Sequence, residues 1–357
     1  MKRRTFITGA AAGTAASTLA APAIGQGRVE WRMVTLWPRN FPGLGTGSQR
    51  IADAVAAMSD GRLTVKIYGA GELVPAYEAF DAVRDGTAEC MHEAPYIWTA
   101  KHPASAFFCS VPGGLTPEEH DSWIYHGGGQ ALWDELYGAF GLRSFLAGNS
   151  GTNMGGWYNR EINTPDDFAG LRMRIPGLGA EVLNRLGATT VNLSGGEIQQ
   201  ALQTGLIDAA EWIAPYADLA FGLHKAAKYY YGPGVHEPGP ANSLTVNIEA
   251  YDALPSDLQA VLRQAAGTET TRLPAEMRYG NAQALEALRT KYNVDIRHFP
   301  DPVLRRLLEI SHEVVAEVSA YDDLSARIYQ SWSTFRAQAV AMAPYGSHGY
   351  MTARALI

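Results

Sequence analysis

The sequence predicts an α/β protein folded as a two-domain clamshell, and three observations carry that prediction. Strands rich in β-branched residues alternate with amphipathic helices through the first 92 residues, the order that yields parallel strands covered by helices. The same alternation starts again near residue 154 and ends near residue 212. A strand at Ser243 to Asn247 then returns to the first unit, so chain crossings join the two units and leave a cleft where strand ends face each other. A chain of 357 residues with 46% hydrophobic content is also long for one core, so one large or two medium domains are expected.

Val29 to Leu36 alternates apolar and polar residues and predicts a first strand ending at Trp37-Pro38. Gly45 to Met58 places Ile51, Ala54, Val55 and Met58 on one helical face. Leu63 to Tyr68 is a second strand, Val74 to Asp85 a helix stopped by Gly86, and Ala88 to His92 a short buried strand. In the second unit, Met154 to Tyr158, Leu171 to Ile175 and Thr189 to Leu193 read as strands. Gly177 to Leu186 is a helix, and Ser194-Gly195-Gly196-Glu197 opens another that ends at Gly205. Ala209 to Trp212 is a strand whose end carries Glu211 and Trp212. The last third is helical, with a long amphipathic run from Leu254 through Met277 and onward, then Asp301 to Val318 and Leu324 to Ala341. The implied divisions are a targeting segment over 1–25, a first unit over 26–150 completed by 243–275, a second unit over 151–242, and a helical region over 276–357.

Lys2-Arg3-Arg4-Thr5-Phe6-Ile7 is a twin-arginine pattern, followed by an Ala/Gly-rich run and the small-x-small site Ala21-Pro22-Ala23. Export to the bacterial periplasm as a soluble protein is the expectation. The net charge of -7 argues against nucleic acid, which would want a basic face. Cys90 and Cys109 can pair in an oxidising compartment or remain two buried thiols; their spacing does not suggest a metal site. No nucleophile elbow, Walker loop, C-x-x-C or H-E-x-x-H motif is present. His224 and His236 have no evident partner and read as ordinary surface or core histidines, and Tyr229-Tyr230-Tyr231 as interface, cleft lining or core.

The most telling residue is Arg174, set among apolar neighbours in Met173-Arg174-Ile175-Pro176. A guanidinium there needs a partner, because a buried unpaired charge is costly. Its forked donors fit a carboxylate, either on a ligand or in a structural salt bridge. Asn153, Glu211-Trp212 and Glu237 also fall at strand ends or loops where the cleft is expected. Two carboxylates, an amide and a main-chain carbonyl form the all-oxygen set that hard cations prefer. Taken alone, Glu237 is more often an ordinary loop residue and Trp212 a core residue, and Asn153 is a common turn residue.

Several ungapped motifs carry a family resemblance over the whole mature chain. They are Thr35-Leu36-Trp37-Pro38, Asp60-Gly61-Arg62-Leu63, Gly71-Glu72-Leu73-Val74-Pro75, Tyr96 with Trp98, and Gly148-Asn149 with Met154-Gly155-Gly156-Trp157. Leu171-Arg172-Met173-Arg174-Ile175, Ile207-Asp208-Ala209-Ala210-Glu211-Trp212 and Glu237-Pro238-Gly239-Pro240 complete them. On these the chain resembles the DctP-like substrate-binding proteins of TRAP (tripartite ATP-independent periplasmic) transporters, in the branch that binds 2-oxo acids and lactate. The resemblance implies a periplasmic binding protein clamshell with a strand-connected hinge, a homodimer made by exchanging a C-terminal helix, and delivery of ligand to a membrane permease. It implies that Arg174 binds the ligand carboxylate and that Tyr96 contacts the substrate. It further implies that Asn153, Glu211, the Trp212 carbonyl and Glu237 hold a cation, Na⁺ or Ca²⁺, with the ligand's oxygens.

Two residues depart from the family pattern. Asn153 stands where glutamine is expected, and Glu93 where a small residue is expected; Glu93 would either point into the cleft and alter substrate choice or pair with an arginine outside. Glu211, Glu237 and a ligand carboxylate against Arg174 leave the site at minus one with a monovalent ion and neutral with a divalent one, which favours Ca²⁺. The expected function is a receptor for a small 2-oxo or 2-hydroxy monocarboxylate such as pyruvate or lactate, without bond chemistry. The alternatives are a metal-independent binder of a larger or dicarboxylic acid, and a periplasmic metal-dependent enzyme acting on keto acids.

Overall fold

The computed structural model describes residues 27–357. The expected export signal and its cleavage site lie outside the described residues. In chain order the strands are β1 (Val29–Thr35), β2 (Leu63–Tyr68), β3 (Cys90–Glu93), β4 (Leu142–Asn149), β5 (Gly156–Tyr158) and β6 (Arg172–Arg174). They continue with β7 (Thr189–Val191), β8 (Ala209–Ala210), β9 (Tyr229–Gly232), β10 (Ala241–Asn247) and β11 (Asp295–His298). The first sheet has the order β2-β1-β3-β10-β4 and the second β11-β9-β5-β8-β6-β7. Within the first, β1 is parallel to β2 and β3 while β10 runs antiparallel to β3 and β4, so β10 is the returning strand.

The chain crosses between sheets from β4 to β5 and back from β9 to β10. The two crossings lie side by side: Gly234 N donates to Asn153 O at 2.9 Å and Asn153 N to Glu237 O at 3.4 Å. A third link is the helix Ser256–Thr290, 35 residues long. Its first turns bury Leu258, Leu262, Ala265 and Ala266 in the core beneath β1 and β10. Further along, Gly280 lies against the ring of Tyr216 in the second unit, where a Cβ would sit 2.6 Å from the ring. The expected division at 275/276 therefore falls inside one continuous helix. Beyond it, β11 joins the second sheet, and Val303, Leu307 and Ile310 of the helix Asp301–Glu317 share a core with Phe168, Leu171 and Met173. The helix Asp323–Met342 returns to the first unit, where Trp332 meets Phe107 edge-on at 5.2 Å. A helical period marks such a run as amphipathic but does not say which unit each turn covers.

Some elements differ from the sequence reading. The helix placed at Val74 to Asp85 is a 3-10 turn at Ala76–Glu78 followed by a helix at Ala79–Arg84. Pro75 has no N–H to donate and sits in an extended conformation ahead of the turn. The three tyrosines at 229–231 form β9, between β5 and β11, with Tyr230 and Tyr231 fully buried. Cys90 and Cys109 are both buried and free, so the pairing alternative does not form. Burial pushes both thiols up. Reductant is accordingly expected to leave Tm unchanged, and alkylation of either thiol to require unfolding; a Tm drop on adding dithiothreitol would contradict this. Among the described residues no helix is long and apolar enough to cross a membrane.

Candidate functional site

Strand register builds the centre of the site. β6 runs parallel to β8 with Arg174 opposite Ala210, so the residue after β8, Glu211, emerges beside Arg174 at the carboxyl ends of both strands. Gly156 on β5 permits this close packing: at φ 111° its backbone lies where a Cβ would meet Ala210 O at 2.7 Å. Arg174 is buried, 2% exposed. Its Nε donates to Leu193 O at 3.1 Å and its Nη1 to Glu211 O at 2.6 Å. The same Nη1 is 3.3 Å from Glu211 Oε2, and the guanidinium lies 5.2 Å from the centre of the Trp212 ring. Nη2 makes no hydrogen bond of ordinary geometry among the described residues, the Tyr77 hydroxyl lies near enough to the guanidinium to interact with it, and both side chains line the cavity between the two units. Of the two alternatives raised for Arg174, the structural salt bridge is present, with Glu211, and the residue also lines the cavity.

The two crossing segments bring the remaining polar groups to the same spot. Asn153 follows β4 and Glu237 precedes β10, and both are buried. Asn153 Nδ2 donates to Glu237 Oε2 at 2.8 Å and to Glu211 Oε1 at 3.2 Å. Ser150 Oγ donates to Asn153 Oδ1 at 3.3 Å. Glu237 Oε1 is buried without a partner. Burial raises the Glu237 pKa to about 8, helped by repulsion from Glu211 and opposed by His236, Arg174 and Asn153. Burial likewise pushes Glu211 well above the carboxylate range, against the pull of Arg174. Two buried carboxylates with one orphaned oxygen are a demand for positive charge that Arg174 and one amide meet only in part. That donor set fits a hard cation: Glu211 and Glu237 would supply charge, and Asn153 would supply its carbonyl if the amide turned over. The Trp212 carbonyl is the fourth oxygen expected from the sequence, and Asp218 steadies its loop by accepting from Ile213 N at 3.1 Å.

The cavity wall is aromatic and aliphatic. Tyr96 lines it and packs its ring on Gly177 of the opposite unit, at 3.4 Å from where a Cβ would stand. Burial and the two carboxylates push its hydroxyl up. Tyr77, Trp37, Ile97, Ser194 and Asn242 also face the cavity and were not anticipated. Trp37 and Ser194 lie in motifs that the sequence singles out; Tyr77 and Asn242 carry no local signal. Contacts bridge the mouth: Tyr77 Oη donates to Asn192 Oδ1 at 3.0 Å, and Phe41 stacks on Phe221 at 4.4 Å.

Glu93 does neither of the things expected of it. It is not among the cavity-lining residues and pairs with no arginine; it is fully buried inside the first unit. Its Oε1 accepts from Ser243 Oγ at 2.7 Å and Thr245 Oγ1 at 2.8 Å, and its Oε2 from Trp98 Nε1. The register explains this: Glu93 lies opposite Ser243 across the β3–β10 pair, so its carboxylate meets the hydroxyls of the returning strand. Burial raises its pKa to about 7 against those hydrogen bonds.

Comparison with known proteins agrees with this architecture. Residues 33–322 match the family model for bacterial extracellular solute-binding protein, family 7. The chain is 38% identical over 349 residues to a monocarboxylate 2-oxoacid-binding periplasmic protein of Nostoc sp., covering 96% of this chain and 95% of that one. A TRAP periplasmic solute-binding protein from Pseudoalteromonas atlantica, solved with sodium and pyruvate, superposes with TM-score 0.88 at 40% identity, over 91% of this chain and 99% of that chain. One from Bordetella bronchiseptica superposes with TM-score 0.90 at 33% identity, over 92% and 99% of the two chains. It is a mixed-occupancy dimer with copurified calcium and picolinate in one site and the other apo. With a family match spanning most of its length and both sheets in place, the chain belongs to the bacterial extracellular solute-binding proteins of family 7.

Proposed function

We propose that this protein is the periplasmic receptor of a TRAP transporter, binding a small 2-oxo or 2-hydroxy monocarboxylate of the pyruvate and lactate type on a hard cation. The observation that carries this reading is the buried Arg174 guanidinium on the cavity wall with the buried Glu211–Glu237 carboxylate pair directly behind it, joined to the wall through Asn153. Relatives with pyruvate and sodium, or with calcium and a pyridine carboxylate, support it. Arg174 takes the ligand carboxylate with its free edge while Leu193 O and Glu211 O hold the guanidinium in place. A cation held by Asn153, Glu211, the Trp212 carbonyl and Glu237, either Na⁺ or Ca²⁺, supplies the positive centre for the 2-oxygen. Tyr96 and Trp212 cover the ligand and exclude water. The role is recognition without bond-making, and Tyr77–Asn192 and Phe41–Phe221 are contacts that domain closure makes before the receptor meets its permease.

A thermal-shift titration of chelator-stripped protein tests this. Pyruvate with Ca²⁺ or Na⁺ is expected to raise stability by about 2.7 kcal/mol at a hundredfold excess over Kd, and butyrate, which lacks the 2-oxygen, by far less. Equal stabilisation by butyrate would contradict the chelate. Stabilisation by a dicarboxylate without any cation would favour the metal-independent alternative, and turnover of a keto acid on long incubation the enzymatic one.

The same reading includes a homodimer through the C-terminal helices. Tyr345, Tyr350 and Leu356 are 85%, 68% and 82% exposed, apolar side chains that an exchanged C-terminal helix would cover. Removing residues 343–357 is expected to convert a dimer to a monomer by light scattering; an unchanged mass would contradict the exchange.

A further inference from the structure

We infer that His236 Nε2 is an additional protein ligand of the cation site, and that the resulting nitrogen–oxygen set takes a first-row transition dication such as Mn²⁺ more tightly than Ca²⁺. The inference rests on the cation reading above and adds to it a ligand and a metal class. One donor atom from each of Glu211, His236 and Glu237 lies within 4.8 Å of the others, close enough for a single ion to touch all three. His236 Nε2 is 3.7 Å from Glu211 Oε1, and the side chain is 11% exposed. That nitrogen is buried and has no hydrogen-bond partner, as is Glu237 Oε1 beside it.

An orphaned ring nitrogen alone does not mark a ligand: His92 bonds Ser48 Oγ at 2.7 Å through Nδ1 and Ala147 O at 3.0 Å through Nε2, whereas His120 bonds Phe107 O at 3.1 Å through Nε2 and leaves Nδ1 buried without a partner, with no carboxylate paired to it among the described residues. His224 also lacks partners but lies against the Tyr292 ring at 4.3 Å. His236 combines an orphaned nitrogen with two carboxylates. Its backbone is set by close packing on the helix Gly177–Arg185, where a Cβ on Gly179 would come within 3.1 Å of the His236 Cβ. A neutral imidazole beside carboxylates suits Mn²⁺, Zn²⁺ and their neighbours, whereas Ca²⁺ takes oxygen almost alone. With Asn153 and the Trp212 carbonyl, the protein offers a mixed set that an alkaline-earth ion would use incompletely.

The test is electron spin-echo envelope modulation on full-length mature protein loaded with Mn²⁺ at about pH 8, where an ordinary histidine is neutral. Directly coordinated imidazole ¹⁴N modulation is expected, and its loss in His236→Phe. Competition titrations are expected to show Mn²⁺ displacing Ca²⁺ from the wild type, with the substitution weakening Mn²⁺ about tenfold or more, the scale seen when groups that tune a metal site are lost, while leaving Ca²⁺ within about threefold. Bound Mn²⁺ without ¹⁴N modulation, or equal weakening of both ions, would overturn the inference and leave the oxygen-ligated cation site standing. Failure of the wild type to bind either ion would overturn both. The wild-type spectrum needs no substitution, so a folding defect in the variant does not blunt the result.

Discussion

Arg174→Met is expected to remove binding of the carboxylate ligand to the limit of calorimetry. Losing one partner of a desolvated charge pair costs about 2–5 kcal/mol, roughly 30-fold to several-thousand-fold in Kd. The loss reaches beyond the ligand, because Arg174 Nη1 also faces Glu211 Oε2 at 3.3 Å in a place where neither group sees water. Stripping the guanidinium leaves Glu211 buried beside Glu237 with no fixed positive charge, a change worth about 3–5 kcal/mol when the survivor stays ionised. Glu211 escapes part of that penalty by holding a proton, the direction in which burial already pushes it. Arg174→Lys separates the two effects. It keeps the charge but not the fork that reaches Leu193 O, Glu211 O and the cavity together. Its Tm is expected to lie between wild type and Arg174→Met, with ligand affinity nearer the methionine variant. A lysine variant that binds pyruvate like wild type would show that forked recognition is not required.

Glu237→Gln is expected to change stability in opposite directions with and without the cation. In chelator-stripped protein the folded-state pKa is about 8 against an ordinary 4.5. Between those values the folded protein holds a proton that the unfolded chain has released. Stability is therefore greatest below the unfolded pKa and falls as pH rises through the window, by at most about 1.4 kcal/mol per pH unit for one proton. Glutamine removes that liability, so the stripped variant should be more stable than stripped wild type at about pH 8 and should show a shallower pH slope. Glu211 shifts in the same direction, which leaves part of the slope in place. With saturating Ca²⁺ the order reverses, because the cation takes the role the proton had and the variant has lost a charged ligand for it. Denaturant melts at two pH values, with and without Ca²⁺, check all four terms. A variant less stable in both states would mean that Glu237 serves the fold through its hydrogen bond from Asn153 rather than as a cation ligand.

The sequence carried the local chemistry further than the long-range geometry. Arg174, Glu211 and Glu237 are legible because a charge amid apolar strand residues, or at a strand end, needs a reason to be there. Parallel pairing then places Arg174 next to Glu211 without further information. Asn153 and Trp212 are read in the same way, from their place at a strand end or loop, the family motifs add Tyr96, and all three line the cavity. Glu93 is the instructive miss. Its departure from the family pattern suggested either the cleft or an arginine outside, but only the pairing partner, Ser243 on a strand 150 residues away, shows that its carboxylate meets hydroxyls inside the sheet. Tyr77 and Asn242 reach the cavity from elements whose placement depends on the completed fold, and no local pattern marks them. The long helix shows the same limit: its period announces a helix, while its passage from one unit to the other is decided by which neighbours await each turn.

The most direct test of the account is reciprocity between acid and cation. Pyruvate affinity is measured by calorimetry in chelator-stripped protein and at saturating Ca²⁺, and Ca²⁺ affinity with and without pyruvate. A ligand held jointly by Arg174 and the cation at Asn153, Glu211 and Glu237 must be tightened by Ca²⁺ by the same factor as it tightens Ca²⁺. The account predicts a shared factor of at least about tenfold, a coupling of about 1.4 kcal/mol or more. Pyruvate binding that is undiminished when every cation has been removed would contradict it.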